Sequence, residues 1–302
     1  MKLNFDIQNK TQPDPFIFEN SGKFYLYVTA NDGVEAYSSD TPFGLWHYEG
    51  IVFSVDGRNG YWAPSIIKIG DWFYLYVSCM DRRLIQCLFA ARAKEPLGPF
   101  KEEKRLFDKF TIDSHVVETQ AGLFLWYSSN MWAPEERENA NRIGTRIYVD
   151  RLINPYTPEC KPSEAVFPTF DEEKYNQKGW HTIEGAFWFE KDGWQYVMYS
   201  GGNYHNDTYH IGYSTAQTAE QDLTKITYVK HTNDGSFAPL MSKNENEEGC
   251  GHNSVLKYNN EYYAVYHARE YLDTPADDGS LERRTARICK MNVENGIITV
   301  EK

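Results

Sequence analysis

The sequence predicts an all-β fold, a five-bladed propeller of four-stranded antiparallel blades, with residues 1–302 forming one domain. Three observations predict it. The pentapeptide Phe-Tyr-Leu-Tyr-Val occurs twice, at 24–28 and 73–77, and weaker relatives follow at 123–128, 195–200 and 262–267. No segment of helical length carries a 3.6-residue apolar period. No linker-like stretch divides the chain.

Each aromatic, β-branched run reads as a strand. Turn residues precede them at Asn20-Ser21-Gly22, Gly70-Asp71, Asp192-Gly193 and Asn259-Asn260, with a weaker signal at Ala121-Gly122. Another apolar strand lies upstream of every turn, giving five hairpins. Third strands are expected at 34–38, 85–91, 146–151, 210–215 and 287–292. Fourth strands are expected at 46–48, 104–107, 165–167, 226–229 and 297–300. Four strands repeated five times, at about 60 residues each, is propeller periodicity.

Composition narrows the class. The chain has 47 aromatic residues, a load that excludes intrinsic disorder. Its formal net charge of −12 repels nucleic-acid backbones and anionic membranes and favours a neutral substrate such as a sugar. Asp6, Gln8, Asn9 and Lys10 break any apolar run of signal-peptide length, and no apolar stretch spans a bilayer. Five scattered cysteines are what a reducing compartment permits. A cytoplasmic location is therefore expected. The acidic surface leaves homo-oligomerisation open.

The repeat places chemistry. Fifteen residues before Thr29 is Asp14; the same step leads from Ser78 to Ala63, from Ser128 to Asp113 and from His267 to His252. In the fourth unit sixteen residues separate Ser200 from Glu184, which predicts one extra residue in that strand pair or its turn. Equivalent positions on innermost strands ring the central channel, so three carboxylates and a histidine converge on one funnel. Alone, Asp14-Pro15 is an ordinary turn initiator, and Asp113, Glu184 and His252 each have a similarly ordinary reading. Together, like charges in a cleft raise one another's pKa and point to a functional site.

Carboxylates in a neutral, aromatic-lined cleft point to glycoside hydrolysis. One protonated acid serves the leaving oxygen and one carboxylate serves the other face of the sugar. Aromatic rings offer flat apolar faces to a sugar's C–H side. Trp62 and Trp132 are the candidates, each also readable as packing.

The ordered motifs Asp14-Pro15-Phe16-Ile17, Trp62-Ala63-Pro64-Ser65, Ile112-Asp113-Ser114, Ile183-Glu184-Gly185 and Gly251-His252-Asn253-Ser254 resemble glycoside hydrolase family 43. The resemblance implies a five-bladed propeller and an inverting mechanism. It implies Asp14 as general base, Glu184 as general acid and Asp113 as the group that tunes the acid's pKa and orients it. It sets His252 deeper on the axis, where relatives often hold a water or a calcium-type cation. It implies a substrate-side arginine from the last blade, Arg283 or Arg284. Ser114 departs from the commoner Ile-Asp-Pro, which bears on the local turn and not on the carboxylate.

Family members mostly cleave arabinofuranosides, xylosides or arabinan. The segments 130–144 and 155–182, read as long loops, would wall off one end of the cleft. An exo-acting α-L-arabinofuranosidase on arabino- or arabinoxylo-oligosaccharides is the preferred reading, with β-xylosidase and endo-arabinanase behind it. The expected partner is a small oligosaccharide, and the chemistry requires no cofactor. A non-catalytic sugar-binding propeller is one competing class. A metal hydrolase using His115, His181, His205, His210 and His252 is another, although no His-x-x-x-His on a helix is present. His205 and His210 are expected at the rim or surface, and Cys250 with His252 is expected to be an ordinary turn pair.

Overall fold

In the computed structural model, which describes residues 1–7, 10–130, 142–270 and 283–301, consecutive hairpins build five sheets of four or five strands, and Thr232–Asn233 with Ser236–Phe237 forms a separate two-stranded ribbon. The innermost strands are Phe16–Asn20, Asn59–Ile69, Ile112–Thr119, Ile183–Lys191 and Glu247–Tyr258, opening blades I to V. Each pairs antiparallel with its second strand, which pairs in turn with the third.

The aromatic repeats follow from burial on both faces. Successive side chains of a strand point to opposite sides. In blade I, Tyr25 and Tyr27 pack toward blade II, while Phe24, Leu26 and Val28 pack toward blade V. In blade II, Phe73, Leu75 and Val77 meet blade I, and Tyr74 and Tyr76 meet blade III. Two further apolar clusters fill the III–IV and IV–V interfaces. Five clusters thus fill five blade interfaces, and the ring closes on itself.

Closure has a second component. Among the described residues each blade uses contiguous sequence, and no strand is exchanged between the first and the last. The N-terminal segment bridges them instead. Asn4–Phe5 pairs in parallel with Leu45–Phe53 of blade I. Leu3 donates its N–H to Ala286 O, and Ile288 donates to Met1 O, both in blade V.

Outer strands depart most from expectation. Blade III carries two short outer pieces, Thr157–Pro158 and Ser163–Val166, so the segment 155–182 is not loop throughout. In blade IV the expected strand at 226–229 shrinks to Val229–Lys230. Asp222 caps a 3-10 turn at Leu223–Lys225 there, accepting from the Thr224 N–H.

The inner strands share one irregularity. Trp62, Ile112, Glu184 and Gly251 pair with Ser78, Ser128, Ser200 and His267, and three residues later the ladder has advanced only two on the partner. This is a β-bulge. The residue after each pair is left-handed: Ala63 (φ 45°), Asp113 (φ 60°), Gly185 (φ 65°) and His252 (φ 49°). Asp14 (φ 53°) matches them in blade I, where Thr29 donates to Pro13 O. The register corrects one expectation. Blade IV has no extra residue; Gly185 occupies the repeat position, and Glu184 stands one residue before it.

Candidate active site

That one-residue offset sorts the central side chains into two tiers. Asp14, Ala63, Asp113 and His252 line a deep axial space of about 10 Å³. Trp62, Ile112 and Glu184 do not line that space but line the cavity above it, about 200 Å³, to which Asp14, Asp113 and His252 also contribute. The three carboxylates predicted from the repeat therefore meet around one cavity. Asp14 and Glu184 come from non-adjacent blades.

Hydrogen bonds fix each group. The Thr29 hydroxyl donates to Asp14 Oδ2 (2.6 Å) and accepts the Ala63 N–H (2.7 Å). The Asp14 N–H donates to His267 Nδ1 (3.0 Å). The Gly185 N–H donates to Asp113 Oδ2 (3.1 Å). The Tyr209 hydroxyl donates to Glu184 Oε1 (2.7 Å). Tyr209 lies over Gly251, where a Cβ would come within 1.8 Å of its ring.

The environments push the carboxyls apart. Burial opposes ionisation of Asp14, but the Arg284 guanidinium at 3.2 Å, supported by His252 and His267, outweighs it and holds the carboxyl well below the usual range. Glu184 is pushed up to about 7, by burial first and then by the negative charge of Asp14; Tyr209 and Arg284 oppose the shift. Asp113 rises well above the ordinary range through burial, then through Glu184 and Asp14. Asp113 and Glu184 repel each other, so the pair holds a proton to higher pH than either would alone. An ionised carboxylate and a protonated carboxylic acid thus coexist near neutrality, which is the equipment of acid–base catalysis.

A model of the glycosyl hydrolases family 43 matches residues 7–298. The chain belongs to glycosyl hydrolase family 43. The α-L-arabinofuranosidase B of Pyricularia oryzae is 25% identical over 93% of this chain and 59% of its own length, so the chain spans well under two thirds of that relative. A probable arabinan endo-1,5-α-L-arabinosidase C of Aspergillus clavatus is 24% identical over 86% of this chain and 83% of its own. The crystal structure of a thermostable family-43 glycoside hydrolase superposes with a TM-score of 0.82 at 28% identity, covering 96% of this chain and 93% of that one.

Within this family-43 propeller the remaining predicted residues separate. Trp62 is 38% exposed and lines the cavity that holds the three carboxyls. Trp132 lies outside the described residues. Of the two candidate arginines, Arg284 lines the cavity and contacts Asp14, whereas Arg283 is not among the lining residues. His205 lines the cavity, as a rim residue would. His210 does not lie at the surface: it is buried, its ring edge-on to Phe237 and its Nδ1 on Thr208 O. Among the described residues no three His, Cys, Asp or Glu side chains are grouped so that they could hold a metal ion.

The axial ion can be tested on the same geometry. Calcium takes six to eight oxygen ligands. The space beneath His252 is about 10 Å³, with Pro15, Phe16, Ala63, Pro64, Ala186 and Phe187 in its wall. His252 turns Nδ1 toward Asp14 Oδ1 at 3.5 Å. Asn253 also lines this space, and its Oδ1 is buried with no hydrogen-bond partner. Asp14, Asp113 and Ser114 line it as well, so oxygen atoms are present, but a space of about 10 Å³ fits about one water molecule and not calcium with its shell of oxygens.

Sequence reasoning missed Thr29, Tyr209, Tyr204 and His267. Thr29 and His267 were within reach, since the count that finds Asp14 and His252 starts from them. Tyr209 sits in a loop that no repeat marks.

Proposed function

We propose that this family-43 propeller is an inverting glycosidase that removes terminal α-L-arabinofuranosyl units from arabino- or arabinoxylo-oligosaccharides. One observation carries the reading: a buried, ionised Asp14 and a Glu184 raised to about 7 face a single cavity from non-adjacent blades. Glu184 gives its proton to the glycosidic oxygen as the C–O bond breaks. Asp14 takes a proton from the water that attacks the opposite face of the same carbon. Asp113 keeps the acid protonated. The two carboxyls supply both proton transfers that hydrolysis requires.

The arabinofuranosyl preference draws on the names of the curated relatives. A cavity of about 200 Å³ lies below the roughly 300–1,000 Å³ of drug-sized pockets, which supports one sugar ring at its inner end and hence exo action. Endo action on arabinan is the second reading. It is favoured by a further cavity of about 410 Å³ that shares Thr29, Trp62 and Arg284 with the first.

The test is a parallel assay on an aryl α-L-arabinofuranoside, an aryl β-xyloside and linear arabinan, with NMR of the first-formed anomer. Release of arabinose alone, with inverted configuration, is expected. Short oligosaccharides as first products from arabinan would favour endo action. Net retention would remove the base role of Asp14.

A further inference from the structure

The loop between Trp194–Gly201 and His210–Gln217 of blade IV carries more of the site than Tyr209 alone. Tyr204 and His205 both line the cavity beside Glu184. Their rings lie 3.9 Å apart at 34°. Tyr175 joins them, 6.2 Å from the Tyr204 ring and 6.5 Å from that of His205. The Asn203 side chain donates to Tyr175 O (3.0 Å) and ties the two segments together. The result is an aromatic ledge beside the acid, built from this blade IV loop and the segment that leads into the blade.

This ledge is held from the neighbouring blade. Arg269, buried in the second strand of blade V, donates Nη1 to Tyr204 O (2.6 Å) and Nη2 to Asn206 O (2.7 Å). Its Nε donates to Glu248, itself buried, at 3.3 Å. The planar fork of the guanidinium matches two carbonyls in a way an ammonium cannot. Gly249 (φ 60°) makes room for it: a Cβ there would lie 2.4 Å from Nη2.

An inverting displacement sets base, reacting carbon and acid in sequence, so the leaving sugar lies on the acid's side. We infer that Tyr204, His205 and Tyr175 form the binding site for the leaving-group sugar, with Arg269 as the positioning residue that holds it. The inference rests on the glycosidase reading above. The Tyr175 phenol, raised by burial and by the charge of Glu184, agrees with this placement. Sugar rings present a C–H face that such a ledge covers, which excludes water from the bond to be broken.

Two substrates isolate the ledge. α-L-Arabinofuranosyl fluoride has no leaving sugar; α-1,5-L-arabinobiose has one, on the same glycone. In His205→Ala and in Arg269→Lys, kcat/KM for arabinobiose is expected to fall about ten-fold further than kcat/KM for the fluoride, the scale of about one lost ring contact. Equal losses on both substrates, or no loss on either, would overturn the ledge. His205→Ala tests it without disturbing the buried Arg269–Glu248 pair. A wild type that hydrolyses neither substrate would overturn the glycosidase reading itself, and the ledge with it, before any variant is compared.

Discussion

Glu184 and Trp62 occupy the same register position in their blades, each paired with a serine near the end of its second strand, Ser200 and Ser78. Asp14 and Asp113 occupy the next position, on left-handed backbone. Adjacent residues of a strand face opposite ways, and the bulge turns the second of them down toward the axis. The offset separates the acid from the other two carboxyls in depth. It gives Asp14 the cationic company of Arg284 and gives Glu184 a mainly desolvating one. Three carboxyls in a symmetric ring would repel each other equally, whereas here one is ionised and one holds its proton.

Loss of either main carboxyl should read differently on different leaving groups. General acid–base groups contribute about 10²–10⁴-fold. Asp14→Ala is expected to cost about 10³-fold in kcat/KM on arabinobiose and on a nitrophenyl arabinofuranoside alike, because water activation serves both. Glu184→Ala is expected to cost as much on arabinobiose but at least about ten-fold less on the nitrophenyl substrate, whose leaving group needs no proton. Steady-state kinetics on purified, folded variants decide this. Equal losses for Glu184→Ala on both substrates would remove its role as acid.

The pH profile follows from the shifted groups. Glu184 must be protonated, and its raised value of about 7 means that activity falls as pH rises through that region. Losing the last proton of the Asp113–Glu184 pair would leave two like charges side by side; Asp113→Asn removes that repulsion, so the acid loses its proton more readily. The alkaline limb of kcat/KM is expected to move down by about one pH unit, equivalent to about 1.4 kcal/mol. A limb that stays in place would mean that Asp113 does not tune the acid.

Much of this was legible before any coordinates, for a physical reason. A strand buried on both faces reads as a continuous aromatic run, and five such runs with turn signals fix the blade count. The proposed catalytic positions were legible because a left-handed residue recurs in every blade fifteen residues before Thr29, Ser78, Ser128, Ser200 and His267, and Glu184 is next to one of them. Outer strands carry no such constraint, and the run at 226–229 loses its ladder to a capped turn at Leu223–Lys225. Arg283 and Arg284 are adjacent, so spacing alone could not choose between them; the bond from the Gln12 N–H to Arg284 O sets the register that does. Tyr209 was illegible because its contact with Glu184 spans a loop that has no counterpart in the repeat.

Tyr209→Phe should move the profile the other way. The phenol donates to Glu184 Oε1 and favours the ionised form, lowering the acid's value. Without that donor the acid keeps its proton longer, and the alkaline limb is expected to shift upward. The sign opposes that of Asp113→Asn, so the two profiles measured in one buffer series check each other. A downward shift for Tyr209→Phe would mean that the hydroxyl does not donate to Glu184.

Gly251→Ala and Gly185→Ala separate crowding from backbone strain. At Gly185 (φ 65°) an added Cβ lies 3.2 Å from His252 Nδ1, a contact a small ring shift relieves. Blade II already tolerates Ala63 at the equivalent left-handed position. Gly185→Ala is therefore expected to fold, at a cost of about 1–2 kcal/mol in urea denaturation. Gly251 is not left-handed, but its Cβ would lie 1.8 Å from the Tyr209 ring, which has to move. Overpacking of that kind costs about 1–3 kcal/mol. Because the displaced ring takes its hydroxyl away from Glu184, Gly251→Ala is also expected to raise the alkaline limb, as Tyr209→Phe does. A destabilised Gly251→Ala with an unmoved limb would show that Tyr209 yields elsewhere and keeps its bond to the acid.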